Sequence, residues 1–314
     1  MANVAAVTAA DDSRQPFRWV AVLALLVAAL MIPFASYRLT RDAALARLDD
    51  AAAVAAQTRA LALDSLLDQQ RAVAAVLAVD QQVIDALQGG DAVADDAVSA
   101  KLDLLRDETQ SNVIYLLDLS GRAIAASNWD QPFSFVGYDY GFRDYFRQAL
   151  EQGTGQEYAL GTVSGRPGLY LAHDVREGGR VLGVIVVKVE FDALEAAWAR
   201  DPDGTHVVDG QGRVIISSRS DLRFQPLPPA GTTRSAEAPV RRTDWTLMVR
   251  SSAAGAQRVA VLAAGTALLA TLLLGVGIAL VSARLRRAAS GPRLPIAPIW
   301  NRPSRPAPAP CPMR

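Results

Sequence analysis

The stretch RVLGVIVVKVEFDAL, residues 180–194, decides how the rest of the chain is read. Seven of its first ten residues are Val, Leu or Ile, which is the composition of a strand buried on both faces. Period-two alternation puts Val184, Val186 and Lys188 on one face and Val187 and Val189 on the other. An ammonium in such a strand is costly: unpaired and buried, it forfeits several kcal/mol or loses its proton. Lys188 therefore either sends its tip to water or meets an anion. The strand runs directly into FDALEAAW, a helical pattern, which suits a sheet with helices beside it.

Working back from this strand, the chain shows the same period. GLYLAHDV (168–175), EYALGTVSG (157–165) and NVIYLLDLSGRAIAASN (112–128) read as further strands separated by Gly-containing turns. FRDYFRQALEQG (142–153) reads as a short helix closed by Gly153. Together these predict one antiparallel sheet with flanking helices. The hairpin DLSGRAIAAS, beginning at Asp118, recurs as DGQGRVIISS from Asp209, both of the form D-x-x-G-R-x-I-x-x-S. Each copy follows a helical segment. TDWTLMVRSS (243–252) supplies a last strand for the second copy, so two α/β modules in tandem are expected, the second smaller.

Upstream, residues 39–88 contain no Gly or Pro and carry Leu45, Leu48, Ala52, Ala55, Leu63, Leu66 and Leu67 at helical spacing, predicting one long helix ended by the GGD at 89–91, with another helix over 93–109. Two uncharged apolar runs bracket everything described so far: WVAVLALLVAALMIPFASY (19–37) and VAVLAAGTALLATLLLGVGIALVSA (259–283). Each is long enough to cross a hydrocarbon core of roughly 30 Å as a helix. The first lacks a clean small-x-small cleavage site and runs on into helical sequence, so an uncleaved signal anchor is expected. Arg284, Arg286, Arg287 and Arg293 follow the second span without an acidic residue, which predicts that this end, and with two spans the N-terminus too, is cytoplasmic. Residues 38–258 then face the periplasm of a bacterial inner membrane.

Composition excludes several classes. The formal net charge is zero, which gives no electrostatic footprint for nucleic acid. The single cysteine, Cys311, permits neither an intrachain disulfide nor a zinc cluster. The two histidines, His173 and His206, lie in separate modules and read as strand residues; no metal site and no cofactor are expected. Neither a Ser/His/Asp order nor a paired-carboxylate spacing argues for an enzyme.

The order of a long helix, then FVGYDYGFRDYFRQAL, EYALGTVSG, GLYLAHDV and VLGVIVVKVEFDALEAAW, resembles the periplasmic sensor of C4-dicarboxylate transport sensor histidine kinases over roughly residues 20–283. The resemblance implies an α+β fold: a long N-terminal helix with tandem PAS-like (double Cache) modules, flanked by two transmembrane helices. It implies succinate, fumarate or malate as ligand, held by Tyr140, Arg143 and Tyr145 around the short helix, Thr162 and Ser164 in a loop, Tyr170 on the next strand, and Lys188. It departs from the family pattern at Asp144, where Pro is usual, Val163, where Thr is common, and Ala172, where Ser is common.

Chemically, two fixed cations suit two carboxylates: Arg143 offers a planar fork, Lys188 a point charge, and hydroxyls set length and orientation. Plainer readings stand beside this one. Lys188 could pair with Glu190 or Asp192 or snorkel from an edge strand, Arg143 could pair at the surface with Asp139 or Asp144, and Tyr145 could be core only.

The expected organisation is a cytoplasmic N-tail (1–18), a first span (19–37), a periplasmic helical stalk (38–110), a membrane-distal ligand-binding module (111–190), a membrane-proximal module (191–258), a second span (259–283) and a Pro/Arg-rich disordered tail (284–314). The last 31 residues contain no His, Asp or Glu and eight prolines, so no kinase core is expected there and a truncated or frame-shifted gene is the expectation. Expected partners are a dicarboxylate, the membrane, a second copy through the long helix, and a kinase or dicarboxylate transporter. Alternatives are a stand-alone binding or interaction protein, or the input half of a chemoreceptor or cyclase.

Overall fold

In the computed structural model, residues 15–89, 92–200, 204–231 and 233–289 are described. The expected N-tail and the Pro/Arg-rich tail fall largely outside them. The chain divides into two compact units, one of residues 43–256 and one formed by the two ends of the chain.

In the terminal unit, α1 (Gln15–Leu77) begins with the first apolar run and α6 (Ala254–Ala289) carries the second. Both reach mean hydropathy values, 2.0 and 2.3, that suit a bilayer crossing. Their apolar side chains, Leu23, Leu26, Leu30, Leu269 and Leu273 among them, are exposed. The uncharged, apolar part of each helix is long enough to cross a bilayer. The hydroxyls in α6 are satisfied locally: Thr271 donates to the Ala267 carbonyl at 2.8 Å and Ser282 to Ala279 at 2.8 Å.

The larger unit holds two antiparallel sheets. The first has strands β1 (Val113–Asp118), β2 (Ala123–Ala126), β3 (Thr154–Leu160), β4 (Pro167–Glu177) and β5 (Arg180–Val189) in the order β2-β1-β5-β4-β3. The second has β6 (Gly204–Val208), β7 (Val214–Ser217), β8 (Thr233–Pro239) and β9 (Thr246–Ser252) in the order β7-β6-β9-β8. β5 is thus the central strand of the first sheet, flanked by β1 and β4. That explains its unbroken apolar composition and removes the edge-strand route to water for Lys188.

One face of the first sheet, through Ile185, Val187 and Val189, shares a buried core with Ala52, Ala56, Ala60, Leu63 and Leu67 of α1. Alanines at helical spacing let the helix backbone come close, and the leucines fill the remaining space. The same core continues into the second sheet through Val207, Leu247 and Val249. The opposite face, through Val184 and Val186, packs with Tyr145, Phe146 and Ala149 of the short helix α4 (Asp144–Gln152). α5 (Asp192–Trp198) links the two sheets.

The D-x-x-G-R repeat is a structural repeat. In both copies the aspartate Oδ1 accepts two backbone N–H groups, from Ser120 and Arg122 at Asp118 and from Gln211 and Arg213 at Asp209. The glycines take positive φ, +87° at Gly121 and +76° at Gly212, a conformation in which a Cβ is strained. β1 and β6 each carry a register shift just before the turn.

Two expectations are corrected. The long helix does not run to residue 88: α1 stops at Leu77, and a separate helix α2 (Gln81–Gly89) follows, with α3 at Ala92–Thr109. The cause is Asp80, whose Oδ1 accepts the Gln82 and Val83 N–H groups at 3.1 and 3.4 Å and so starts a new helix. The strand expected at 157–165 is displaced to Thr154–Leu160, because Gly161–Ser164 turns away.

Candidate functional site

The site is built on the face of the first sheet that α4 covers. Lys188, on β5, is fully buried, with Tyr170 of β4 its cross-strand neighbour on one side and Val113 of β1 on the other. Its stem runs past Gly168, where a Cβ would come within 3.1 Å of Lys188 Cε. The ammonium donates to Ser164 Oγ at 2.8 Å and meets Glu190 Oε1 at 2.5 Å. Burial lowers the Lys188 pKa, and the hydrogen bond it donates to Glu190 opposes that shift. Glu190 also takes Arg166 Nη1 on its other oxygen at 3.2 Å. The anion that meets Lys188 here is therefore a residue of the chain, Glu190.

Arg143 precedes α4 as its N-cap residue, with extended backbone, rather than lying in the first turn, where a helix beginning at residue 142 would put it. Its side chain is buried and not paired with Asp139 or Asp144. It donates to Glu157 Oε1 at 3.2 Å and to the Leu160 carbonyl at 2.8 Å. Glu157 Oε2 in turn accepts the Asp144 N–H at 2.8 Å, holding the start of α4 to β3. Asp144 pairs instead with Arg147.

The two cations share one ring. The Arg143 guanidinium carbon lies 5.6 Å and Lys188 Nζ 5.8 Å from the Tyr170 centroid. Tyr145 stacks on Tyr170 at 5.2 Å, with 13° between planes, and its hydroxyl bonds that of Tyr115 at 2.7 Å. Tyr140 packs on Tyr115 at 5.3 Å. Burial raises the pKa of all four phenols, Tyr115, Tyr140, Tyr145 and Tyr170, so each stays neutral at physiological pH. Among the described residues, the Tyr140 hydroxyl and Arg143 Nε are buried donors without a hydrogen bond to the protein.

Six of the seven predicted residues, Tyr140, Arg143, Tyr145, Ser164, Tyr170 and Lys188, thus converge on one aromatic-lined cluster. Thr162 does not join them: it is exposed in the 161–165 turn. Val163, at a departure from the family pattern, packs against the cluster instead. Sequence reasoning missed Glu157 and Tyr115. Strand alternation carried a usable signal for Tyr115, which lies two residues from Val113 and shares its face. For Glu157 there was none, because its partner is 14 residues away. A cleft of about 650 Å³ lies elsewhere, lined by Asp68, Arg71, Gln148, Gln156, His173 and Arg242 among others, and contains none of the predicted residues.

A long helix leading into two tandem PAS-like sheets, with a buried polar cluster in the first, is the double Cache arrangement, and the apolar helices at the two ends are long and apolar enough to cross a membrane. The chain is 42% identical over 223 residues to the C4-dicarboxylate transport sensor protein DctB of Rhizobium meliloti, a match covering 71% of this chain and 35% of that protein. It is 40% identical over 142 residues to the DctB protein of Pseudomonas aeruginosa, covering 45% of this chain and 23% of the relative. The chain is a homologue of these sensor proteins over the residues matched, and it spans about a third or less of their length. The sensor domain of the V. cholerae histidine kinase DctB shares the fold, with a TM-score of 0.55 at 23% identity over 69% of this chain and 98% of that one. The ligand-binding domain of the Pseudomonas fluorescens chemoreceptor CtaA, solved with L-isoleucine, shares it at TM-score 0.55 and 15% identity, covering 70% of this chain and 98% of that one. No family profile matches the chain.

Proposed function

We propose that this chain is the periplasmic input region of a two-component sensor, and that its membrane-distal module, residues 111–190, binds a C4-dicarboxylate such as succinate, malate or fumarate. The observation that carries the reading is the pairing of two buried cations, Lys188 and Arg143, across Tyr170, beside two buried donors with no protein partner, Tyr140 Oη and Arg143 Nε. Buried polar groups normally find partners, and these two point to a ligand oxygen at the Arg143 end. Ser164 and Lys188 serve the second carboxylate, and the stacked tyrosines limit the length of what fits. The homology to two DctB proteins supports the same ligand class.

In this reading, residues 19–37 and 259–283 cross the inner membrane with both termini in the cytoplasm, as the arginines after Ala283 favour. Residues 38–110 form a stalk that pairs with a second copy, and residues 191–258 form the membrane-proximal module. Ligand at the distal module biases a small shift of the helices that enter the membrane. The output is a histidine kinase.

Calorimetric titration of the full chain in lipid nanodiscs against succinate, malate, fumarate, acetate and amino acids tests the proposal. Dicarboxylates are expected to bind, with Lys188→Met and Arg143→Ala each costing about 2–5 kcal/mol of binding free energy, as truncating one side of a buried charge pair does. Preferential binding of an amino acid, or undiminished dicarboxylate binding by both variants, overturns it.

A further inference from the structure

Both buried cations already hold a carboxylate of the chain, but the two carboxylates are held differently. Glu157 is fixed: it bonds Arg143 and two backbone N–H groups at the start of α4, those of Asp144 and Tyr145. Among the described residues, the Glu190 carboxylate is held by the ends of long side chains, Lys188 on Oε1 and Arg166 on Oε2. Its backbone is anchored separately, through its N–H to Asn112 Oδ1 at 2.6 Å. The side chain can therefore turn without moving the strand. Arg166 is largely exposed and also lies 3.9 Å from Asp192, so it holds Glu190 from the solvent side of the cluster and can take both of its oxygens.

We propose that Glu190 is a tethered competitor for the ligand: its carboxylate occupies Lys188 in the ligand-free protein, and a ligand carboxylate replaces it on Lys188 and Ser164 while Glu190 turns onto Arg166. The inference rests on the dicarboxylate reading of the site and adds to it a residue that sets the affinity threshold. A carboxylate two residues from Lys188 acts at high effective concentration, so every ligand must overcome the same exchange. A ligand with one carboxylate has no second contact at Arg143 and Tyr140 with which to recover that loss. The exchange also keeps the Lys188 ammonium paired throughout, since leaving it bare in a fully buried position is the costliest state available.

The test titrates full chains in nanodiscs with succinate, comparing wild type, Glu190→Gln, Arg166→Ala and the double variant. Glu190→Gln is expected to tighten succinate about tenfold while lowering the ligand-free melting temperature, because Lys188 loses its resident anion. Arg166→Ala is expected to weaken succinate several-fold in the wild-type background and to have no effect in the Glu190→Gln background, since the displaced carboxylate is then absent. Succinate binding that Glu190→Gln leaves unchanged or weakens, or an Arg166→Ala effect equal in both backgrounds, overturns the exchange and leaves the dicarboxylate reading standing. Absence of succinate binding in wild type and in Glu190→Gln overturns both. If Glu190→Gln does not fold, Arg166→Ala at its exposed position decides alone: unchanged affinity overturns the exchange.

Discussion

At the scale of single residues, the site is a compromise between folding and binding. Lys188 and Arg143 are buried beside apolar and aromatic side chains, and chain carboxylates offset the cost. Tyr140 is the clearest mark of a function beyond folding, because its hydroxyl is buried and makes no bond to the protein. Tyr140→Phe removes that unsatisfied group. Ligand-free thermal unfolding is expected to show a protein as stable as wild type or about 1 kcal/mol more stable, while succinate affinity falls. A loss of stability without ligand would mean that the hydroxyl serves the fold. At this scale the sequence marked Lys188 well, since an ammonium between valines is conspicuous. It could not say which anion answers it: Glu190, Asp192 and a ligand all satisfy the same charge rule, and only side-chain geometry separates them.

At the scale of elements, alternation along β5 and the spacing of α4 were legible because each is a local pattern with its own period. The break between α1 and α2 was not. Residues 77–81 contain no Gly or Pro, and the interruption comes from Asp80 capping α2 and pairing with Lys101 of α3 at 2.6 Å. Burial pushes the Asp80 pKa up, but the Lys101 hydrogen bond and the Gln82 and Val83 N–H groups outweigh it and hold the carboxyl below its usual range. Asp80→Ala is expected to cost about 1–2 kcal/mol of stability, seen as a lower melting temperature, and Asp80→Asn to recover most of the capping part. Equal losses in the two variants would place the effect in the Lys101 pair instead. The turn 161–165 was misread as strand because Gly-Thr-Val-Ser carries β-branched residues. Its actual role is to bring Ser164 back to Lys188, a contact 24 residues apart.

At the scale of the whole molecule, the packing that holds the fold is spread over both sheets. Phe191 and Trp245 meet at 6.2 Å, and Tyr158 reaches the Ile215 carbonyl, so the second sheet is joined to the first by aromatic contacts and not by the α5 linker alone. The second sheet also carries a pH liability. Burial, reinforced by Arg250 and Arg219, pushes the His206 pKa down to about 4, and His206 Nδ1 is 2.9 Å from Ser217 Oγ. Between the ordinary value near 6.5 and about 4, the unfolded chain binds a proton that the folded one refuses, so stability falls as the pH falls through that window. Thermal unfolding of the full chain is expected to show that wild type loses about 2 kcal/mol more than His206→Gln between pH 7 and pH 4. Parallel losses in the two proteins would assign the acid sensitivity to carboxylates elsewhere.

The sequence by itself determined the apolar runs, the tandem repeat, the antiparallel character of the sheet and the presence of a cation in an apolar strand. All of these rest on periodicities and charges that act over a few residues. The tertiary structure alone decided that β5 is central, that Glu157 and Glu190 answer the two cations, and that Tyr170 lies between them. Those outcomes depend on strands and loops far apart in the chain meeting in register, and burial makes each such meeting all-or-none where local sequence leaves several partners equally good.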